Sequence, residues 1–518
     1  MIFLRRGTLL LLMALCWCSS PALSAEIDLV SRSGFGTIGN GPSSEPDINA
    51  DGRFIAYVSD ADNLVDHDPG SWYWNTDPDI FVLDRDSGLV ENVSRDLNPN
   101  NYWFYQTVCK SPSLNARGDL AAFSCASGYH IKYRQLFRIF LYDRLSGSLG
   151  LITQGLSGRL VNGASDEVVI SSDGSILAFT SRASNLISTD SDQSSDIYLY
   201  DIQNATLELA SINVNGEKGN GPSKEATLSG NGQFMAYVSE SDNLVDGDAN
   251  NASDIFYYDR QDGSIQRIAS PGNTDCAEPS LSGDGSLLAF SASDGTGGQN
   301  LYLVARDGEP RFIAKGSSPA LSLDGRFLAY VARTPGLPSD VKGILRLDLE
   351  SGVHDLVSTT LPGTLNEGDS VAPAMTEHGS MLVFSSEDPH LVVGDNNASQ
   401  DVFIAEAAVD TTPPEIHLGL STQILWPPNK KFVEVLVGGS ATDDSGSVEV
   451  EITLNDEYGS AIGQVVPGFG SSLWLEAWRD GNDNDGRTYT VTVVAVDAAG
   501  NRSEQSATVL VPHDMRNK

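Results

Sequence analysis

A turn glycine followed four and five residues later by a small residue and an aromatic recurs seven times, and nothing else restricts the fold of this chain as much. The copies are Gly52 with Ala56 and Tyr57, Gly118 with Ala122 and Phe123, Gly174 with Ala178 and Phe179, Gly232 with Ala236 and Tyr237, Gly285 with Ala289 and Phe290, Gly325 with Ala329 and Tyr330, and Gly379 with Val383 and Phe384. Each is followed by another apolar run: "DIFVLDR", "RIFLYDR", "DIYLYDI", "DIFYYDR", "NLYLVAR", "GILRLDL" and "DVFIAEA". Short β-branched and aromatic runs separated by Gly, Asp and Asn are strands joined by turns, and no window keeps the 3.6-residue period of a long helix. Runs such as "RFIAYVS" and "QFMAYVS" are apolar on both faces, as in a sheet packed between two others. The expected fold class is all-β, a four-stranded unit repeated seven times as a seven-bladed β-propeller.

The repeated "S-x-D-G-x-x-x-A-F" followed by "D-I-F-x-x-D" resembles the WD-like propeller repeats of the TolB type, over residues 26 to 409. That resemblance implies architecture more than activity, since such repeats serve binding subunits, peptidase accessory domains and some lyases. The seventh unit runs out after "DVFIAEAAV" without a fourth strand, while "IDLVS" near the N-terminus matches the fourth strand "LELAS" of the third unit. Residues 27–31 are therefore expected to pair beside 401–407 and close the ring, which removes its free edges.

Residues 1–25 read as a signal peptide: Arg5 and Arg6, an apolar run from Thr8 to Cys18, then "SSPALSA". A periplasmic or secreted, extracellular protein is expected, with no membrane span, because no later segment reaches the roughly 20 apolar residues a spanning helix needs. Residues 410–414 form a linker around "TTPPE". Residues 415–512 alternate polar and apolar as a β-sandwich, and "LWPPNKK", "VDAAGN" and "VLVP" look like bacterial immunoglobulin-like repeats of secreted proteins. Residues 513–518 are a tail. A net charge of −37, or −39 without Arg5 and Arg6, argues against nucleic acid and anionic membrane as partners. A protein, peptide or glycan partner and a monomeric state are the expectation. Of five cysteines, Cys109, Cys125 and Cys276 lie beyond the signal; Cys109 and Cys125 flank one hairpin at nearly opposed positions and are expected to form a disulfide.

"VSESDNLVDGDANNASDIFYYDR" poses the question of metal. Asp246, Asp248, Asn250 and Asp254 stand at positions 1, 3, 5 and 9 of a loop between second and third strands, a spacing that turns side-chain oxygens toward one point and suits calcium. It resembles the calcium loops of integrin-type propellers, with Asn251 in place of their glycine. The third unit keeps Asp190, Asp192 and Asp196; the seventh keeps Asp395, Asn397 and Asp401; the first keeps Asp66, Asp68 and Asp79 around an insertion. Ordinary side-chain turns account for the same residues, so calcium and plain turns both stand. Two aromatic insertions, "SWYWN" and "NYWFY", supply Trp72, Trp74, Trp103 and Tyr105, which either cover the mouth of the ring or stack on a ligand. No catalytic residue is assigned: G-x-S-x-G, the P-loop, H-E-x-x-H and C-x-x-C are all missing from the sequence. A binding or scaffold protein is the expected function, with a carbohydrate-active enzyme working at the propeller mouth, or an adhesin, as the alternatives.

Overall fold

The repeated glycine is needed because the turn between the first two strands of every unit passes through the left-handed region, with φ between 64° and 78° at Gly52, Gly118, Gly174, Gly232, Gly285, Gly325 and Gly379. Space is short there as well: a Cβ on Gly118 would lie 2.4 Å from Phe54, and one on Gly285 would lie 2.5 Å from Phe234. The turn of one unit thus seats the second strand of the preceding one. In the computed structural model, which describes residues 26–66, 77–97, 105–129, 136–333, 341–406, 413–443, 448–460, 463–497 and 501–514, these units are four-stranded antiparallel sheets. Seven lie between residues 26 and 406: 43–92, 105–151, 165–209, 223–268, 276–315, 317–356, and 370–406 completed by Glu26–Leu29. They are numbered first to seventh in that order.

Two belts of backbone hydrogen bonds join the sheets into a ring. At one end the turns are linked: Ala50 N–H donates to Ala116 O, Ala116 to Ser172, Asp173 to Gly230, Gly230 to Gly283, Gly283 to Leu323, Asp324 to Glu377, and Glu377 back to Ala50. At the other end, a residue of each first strand or just before it donates to a carbonyl at the entrance of the third strand of the preceding sheet: Cys109 to Pro78, Ser165 to Phe137, Ser223 to Ser195, Cys276 to Ser253, Gly316 to Gln299, Ser370 to Lys342, and Ser43 to Gln400. Each belt returns to its starting sheet, so the unit is a β-propeller whose first strands surround the axis.

Those first strands carry a second device. Each has a β-bulge whose residue sits at φ 49° to 54°: Glu45, Ser111, Glu167, Glu225, Glu278, Ser318 and Ala372. This conformation costs a non-glycine residue about 1–2 kcal/mol. It aims the bulged N–H at the preceding sheet, where a glutamate receives it at four junctions: Ser111 N–H donates to Glu45 (2.6 Å), Glu225 to Glu167 (3.0 Å), Glu278 to Glu225 (2.8 Å) and Ser318 to Glu278 (2.7 Å). Three residues beyond Ser111, Leu114 N–H donates to Asp47 Oδ2 at 2.7 Å. Between sheets the core is apolar, with Tyr57, Phe123, Phe179, Tyr237, Phe290 and Phe384 fully buried. These are the aromatics of the repeat.

Glu26–Leu29 pairs with the last strand of the seventh sheet, Glu26 opposite Glu406 and Leu29 opposite Phe403. Val30 N–H and the Ser31 side chain continue the contact, to Val402 O and Asp401. The pairing is one residue earlier than the sequence pattern places it, and 30–31 are held by individual bonds rather than as strand. Cys109 and Cys125 are directly paired in register, with Cα atoms 4.2 Å apart, and are joined by a disulfide; Cys276 is free and buried.

The chain divides into two compact units at residues 407/408. In the second, a three-stranded sheet (Glu415–Leu420, Phe432–Thr442, Ser472–Glu476) and a four-stranded sheet (Val448–Asp456, Gln464–Val466, Arg487–Asp497, Arg502–Val511) share one core around Val435, Leu473, Val491 and Val509. Strict alternation of burial along Arg487–Asp497 shows one face turned inward. Asp456 and Arg487 form a buried ion pair at 2.7 Å. Burial alone would raise the Asp456 pKa, but Arg487 and Ser460 hold it at about 2. Among the described residues no helix is long and apolar enough to cross a membrane.

Two outcomes follow from the ring. Deleting residues 26–31 exposes the outer edge of the seventh sheet and should lower the melting temperature by on the order of 10 °C, read by calorimetry; an unchanged transition contradicts the closure. Asp47 is pushed up to about 6 by burial, against the pull of the Leu114 and Ile48 amides. Because its folded pKa lies above the unfolded value, its contribution to stability is full below about pH 4 and is lost as pH rises through about 6. The stability difference between wild type and Asp47→Asn should therefore shrink from pH 4 to pH 7 in urea melts, and a constant difference would be the contrary result.

Candidate functional site

The acidic loops sit where the second belt is made. Their final aspartates, Asp79, Asp196, Asp254 and Asp401, directly follow the belt carbonyls of Pro78, Ser195, Ser253 and Gln400. In three of them the aspartate accepts a hydroxyl from two residues beyond the fourth strand: Ser94 on Asp79 (2.6 Å), Ser211 on Asp196 (3.0 Å) and Ser31 on Asp401 (2.6 Å). The same serine oxygens accept the next backbone N–H, of Ile80, Ile197 and Val402. The aspartate of "D-I-F-x-x-D" is thus an anchor between third and fourth strands.

What the rest of each loop converges on differs from sheet to sheet. In the third, Asp190, Asp192 and Asp196 bring ligand oxygens within 4.8 Å of one another, a geometry fit for a metal. The ammonium of Lys218 stands among them, 2.7 Å from Asp190, 2.6 Å from Asp192 and 2.7 Å from Asp196. Burial alone would depress the lysine, but its three carboxylates reverse this and hold its pKa above the usual range. Asp192 is lowered by Lys218, while burial outweighs it at Asp196, which is raised to about 6. Tyr198 donates to the second oxygen of Asp190 at 2.6 Å.

In the fourth sheet, Asp248, Asn250 and Asp254 come together around a guanidinium. Arg267 Nε lies 3.3 Å from Asp248 and 2.7 Å from Asp254, and Asn250 Nδ2 donates to Asp254 at 3.0 Å. Asp246, the first residue of the nine-residue spacing, is exposed on the loop. The loop that best fits the calcium spacing thus already holds a positive charge of its own. In the seventh sheet, Asn397 Nδ2 donates to Asp401 Oδ2 at 2.8 Å and to Gly39 O at 2.9 Å. Burial raises Asp395, and it raises Asp401 to about 6 against the bonds from Ser31 and Asn397. Of the first-sheet trio, Asp66 is exposed and Asp68 lies outside the described residues.

Trp72, Trp74 and Trp103 also lie outside the described residues, and Tyr105 is described only as the first residue of the strand Tyr105–Leu114. The glutamates around the axis went unassigned in the sequence reading. Their signal was available in the first strands, as "SSEPDI", "SDEVVI", "SKEATL" and "CAEPSL". Lys218 and Arg267 were also missed, because neither belongs to the acidic stretch it neutralises.

No family model matches the sequence, and no curated protein matches it. Solved structures do. TolB from Acinetobacter baumannii is 18% identical over 59% of this chain and 63% of that one, with a TM-score of 0.38, so the match spans less than two thirds of that TolB. A putative TolB from Agrobacterium tumefaciens is 17% identical over 58% of this chain and 94% of the other, TM-score 0.35. The β-propeller domain of the Trilobed protease from Pyrococcus furiosus is 11% identical over 70% and 95%, TM-score 0.45. The two closed belts identify the fold on their own, and the N-terminal unit is a β-propeller similar to those of the TolB structures.

Proposed function

We propose that this chain is an exported, non-enzymatic binding or scaffold protein: a seven-bladed propeller over residues 26–409, a linker at 410–414 and an immunoglobulin-like sandwich over 415–512. It works as a monomer whose propeller face receives a protein, peptide or glycan. One observation carries the non-enzymatic reading. Four carboxylates of the strands that surround the axis, Glu45, Glu167, Glu225 and Glu278, each accept the backbone N–H of the next sheet. A carboxylate tied in this way holds blades together and is poorly placed to exchange protons with a substrate. Loops joining second to third strands and loops joining sheets leave a propeller from the same end, so this reading assigns the two aromatic insertions of the sequence to the end that bears the acidic loops. Trp72, Trp74, Trp103 and Tyr105 are the contacts this reading assigns.

A second reading, an adhesin that contacts its target through the C-terminal unit, is favoured by Phe432 and Trp474, 64% and 62% exposed on one face of the three-stranded sheet with Leu436 beside them. Binding of the chain lacking residues 1–25 to an array of glycans, peptidoglycan fragments and peptides tests both, with product analysis of every hit. Saturable binding without turnover, weakened at least tenfold by Trp72→Ala/Trp103→Ala, supports the propeller face. Loss with Trp474→Ala alone transfers the contact to the sandwich, and cleavage of a bound glycan overturns the non-enzymatic reading.

A further inference from the structure

The three-stranded sheet of the C-terminal unit ends in an edge that no other strand covers among the described residues. Strand Ser472–Glu476 pairs with Phe432–Thr442 alone. Val437 N–H donates to Ser471 O and Ala477 N–H to Lys431 O, so the odd-numbered residues of this strand turn their backbone groups toward the sheet. Ser472 and Trp474 therefore turn theirs outward, where among the described residues no loop or side chain meets them. Exposed edges are commonly blunted by lysine, proline or a bulge. The stretch "SLWLE" has no lysine or proline, and its register runs unbroken. The opposite edge of the same sheet is engaged, with Leu418 N–H donating to Gln505 Oε1 at 3.0 Å.

The outer face beside this edge is aromatic and acidic. Residues paired directly across two strands share a face, which sets Glu434 next to Trp474, Phe432 next to Glu476 and Leu436 next to Ser472. Phe432, Leu436 and Trp474 are exposed. Ser472 Oγ donates to Glu434 Oε1 at 2.6 Å, which holds that carboxylate on the strip that Trp474 occupies. The three strands, "EIHLGL", "FVEVLVGGSAT" and "SLWLE", contain three glutamates and neither lysine nor arginine. An exposed indole flanked by carboxylates attracts a cation, through the ring face and through charge. A second copy of this acidic chain would bring the same carboxylates to the edge, so charge favours a partner of opposite sign.

We propose that Ser472–Glu476 receives an extended cationic segment of a partner protein as a fourth strand, with Lys or Arg side chains lying over Trp474 toward Glu434 and beside Glu476. This deepens the adhesin reading and rests on it. Main-chain bonds to Ser472 and Trp474 supply affinity whatever the partner's sequence, and the side chains of the added strand supply the choice. Alternate residues of a strand share a face. Basic residues at every second position therefore meet Trp474 and Glu476, while the residues between them come beside Leu473 and Leu475 and are apolar.

Titration of the chain lacking residues 1–25 with a capped peptide, Lys-Val-Arg-Val-Lys between glycines, at about 0.15 M salt tests this. Binding should saturate, and Trp474→Ala should weaken it about tenfold, with Glu434→Gln acting in the same direction. Ser472→Pro leaves the fold intact, because that N–H faces away from the sheet, and should abolish binding with the melting temperature unchanged. The same peptide N-methylated at every amide keeps its charge but cannot pair as a strand, and it should not bind. No binding by the parent peptide, equal binding by the methylated one, or full binding by both Trp474→Ala and Ser472→Pro would overturn the inference. A dimer of the free chain that Ser472→Pro dissociates would name a second copy as the occupant and overturn it as well. An array ligand lost with Trp474→Ala while the peptide fails to bind would leave the adhesin reading standing and this inference refuted.

Discussion

Everything in the propeller depends on two belts of backbone hydrogen bonds that run from sheet to sheet and return to their starting points. A four-stranded sheet has two open edges, and seven sheets stacked face to face would slide without something to set their spacing. The belts supply that spacing at both ends of the first strand, using groups that every residue but proline possesses. This explains why the motif tolerates such variety between its turns. The turn needs a glycine that can take positive φ under the next side chain, and the third strand needs a carbonyl held in place just before it.

The acidic loops are best understood as the means of holding that carbonyl. An aspartate at the start of the third strand captures a serine just beyond the fourth, and burial of the carboxylate then calls for a positive charge nearby. The third sheet takes it from the connecting hairpin, through Lys218, and the fourth from its own last strand, through Arg267. The loops thus share an anchoring task, with the source of positive charge varying from copy to copy. The glutamates of the bulged strands do related work around the axis, where each converts a strained backbone position into a bond between sheets.

Much of this was legible in the sequence. The seven glycine and aromatic marks, the orphan strand "IDLVS" and the facing cysteines are local patterns whose consequences follow from strand alternation and turn chemistry. The convergence of Asp190, Asp192 and Asp196, and of Asp248, Asn250 and Asp254, was also readable from spacing. What they converge on was not, because Lys218 lies 22 residues beyond Asp196 and Arg267 is one strand away from Asp254. Spacing within a loop reports where its oxygens point, whereas the charge that meets them is chosen by strand register. Asp246 shows the converse case, a residue that completes the calcium spacing on paper but is exposed in the fold.

The central claim is that the ring closes as one cooperative unit, with the junction of seventh and first sheets as firm as the others. Native-state hydrogen exchange on the belt amides measures this directly. Ser43 and Glu377, whose N–H groups close the two belts on Gln400 and Ala50, should exchange with opening free energies within about 1 kcal/mol of those of Ser223 and Gly230, in mid-ring. Markedly faster exchange at Ser43 and Glu377 alone would show a ring that opens at its seam and would contradict the account.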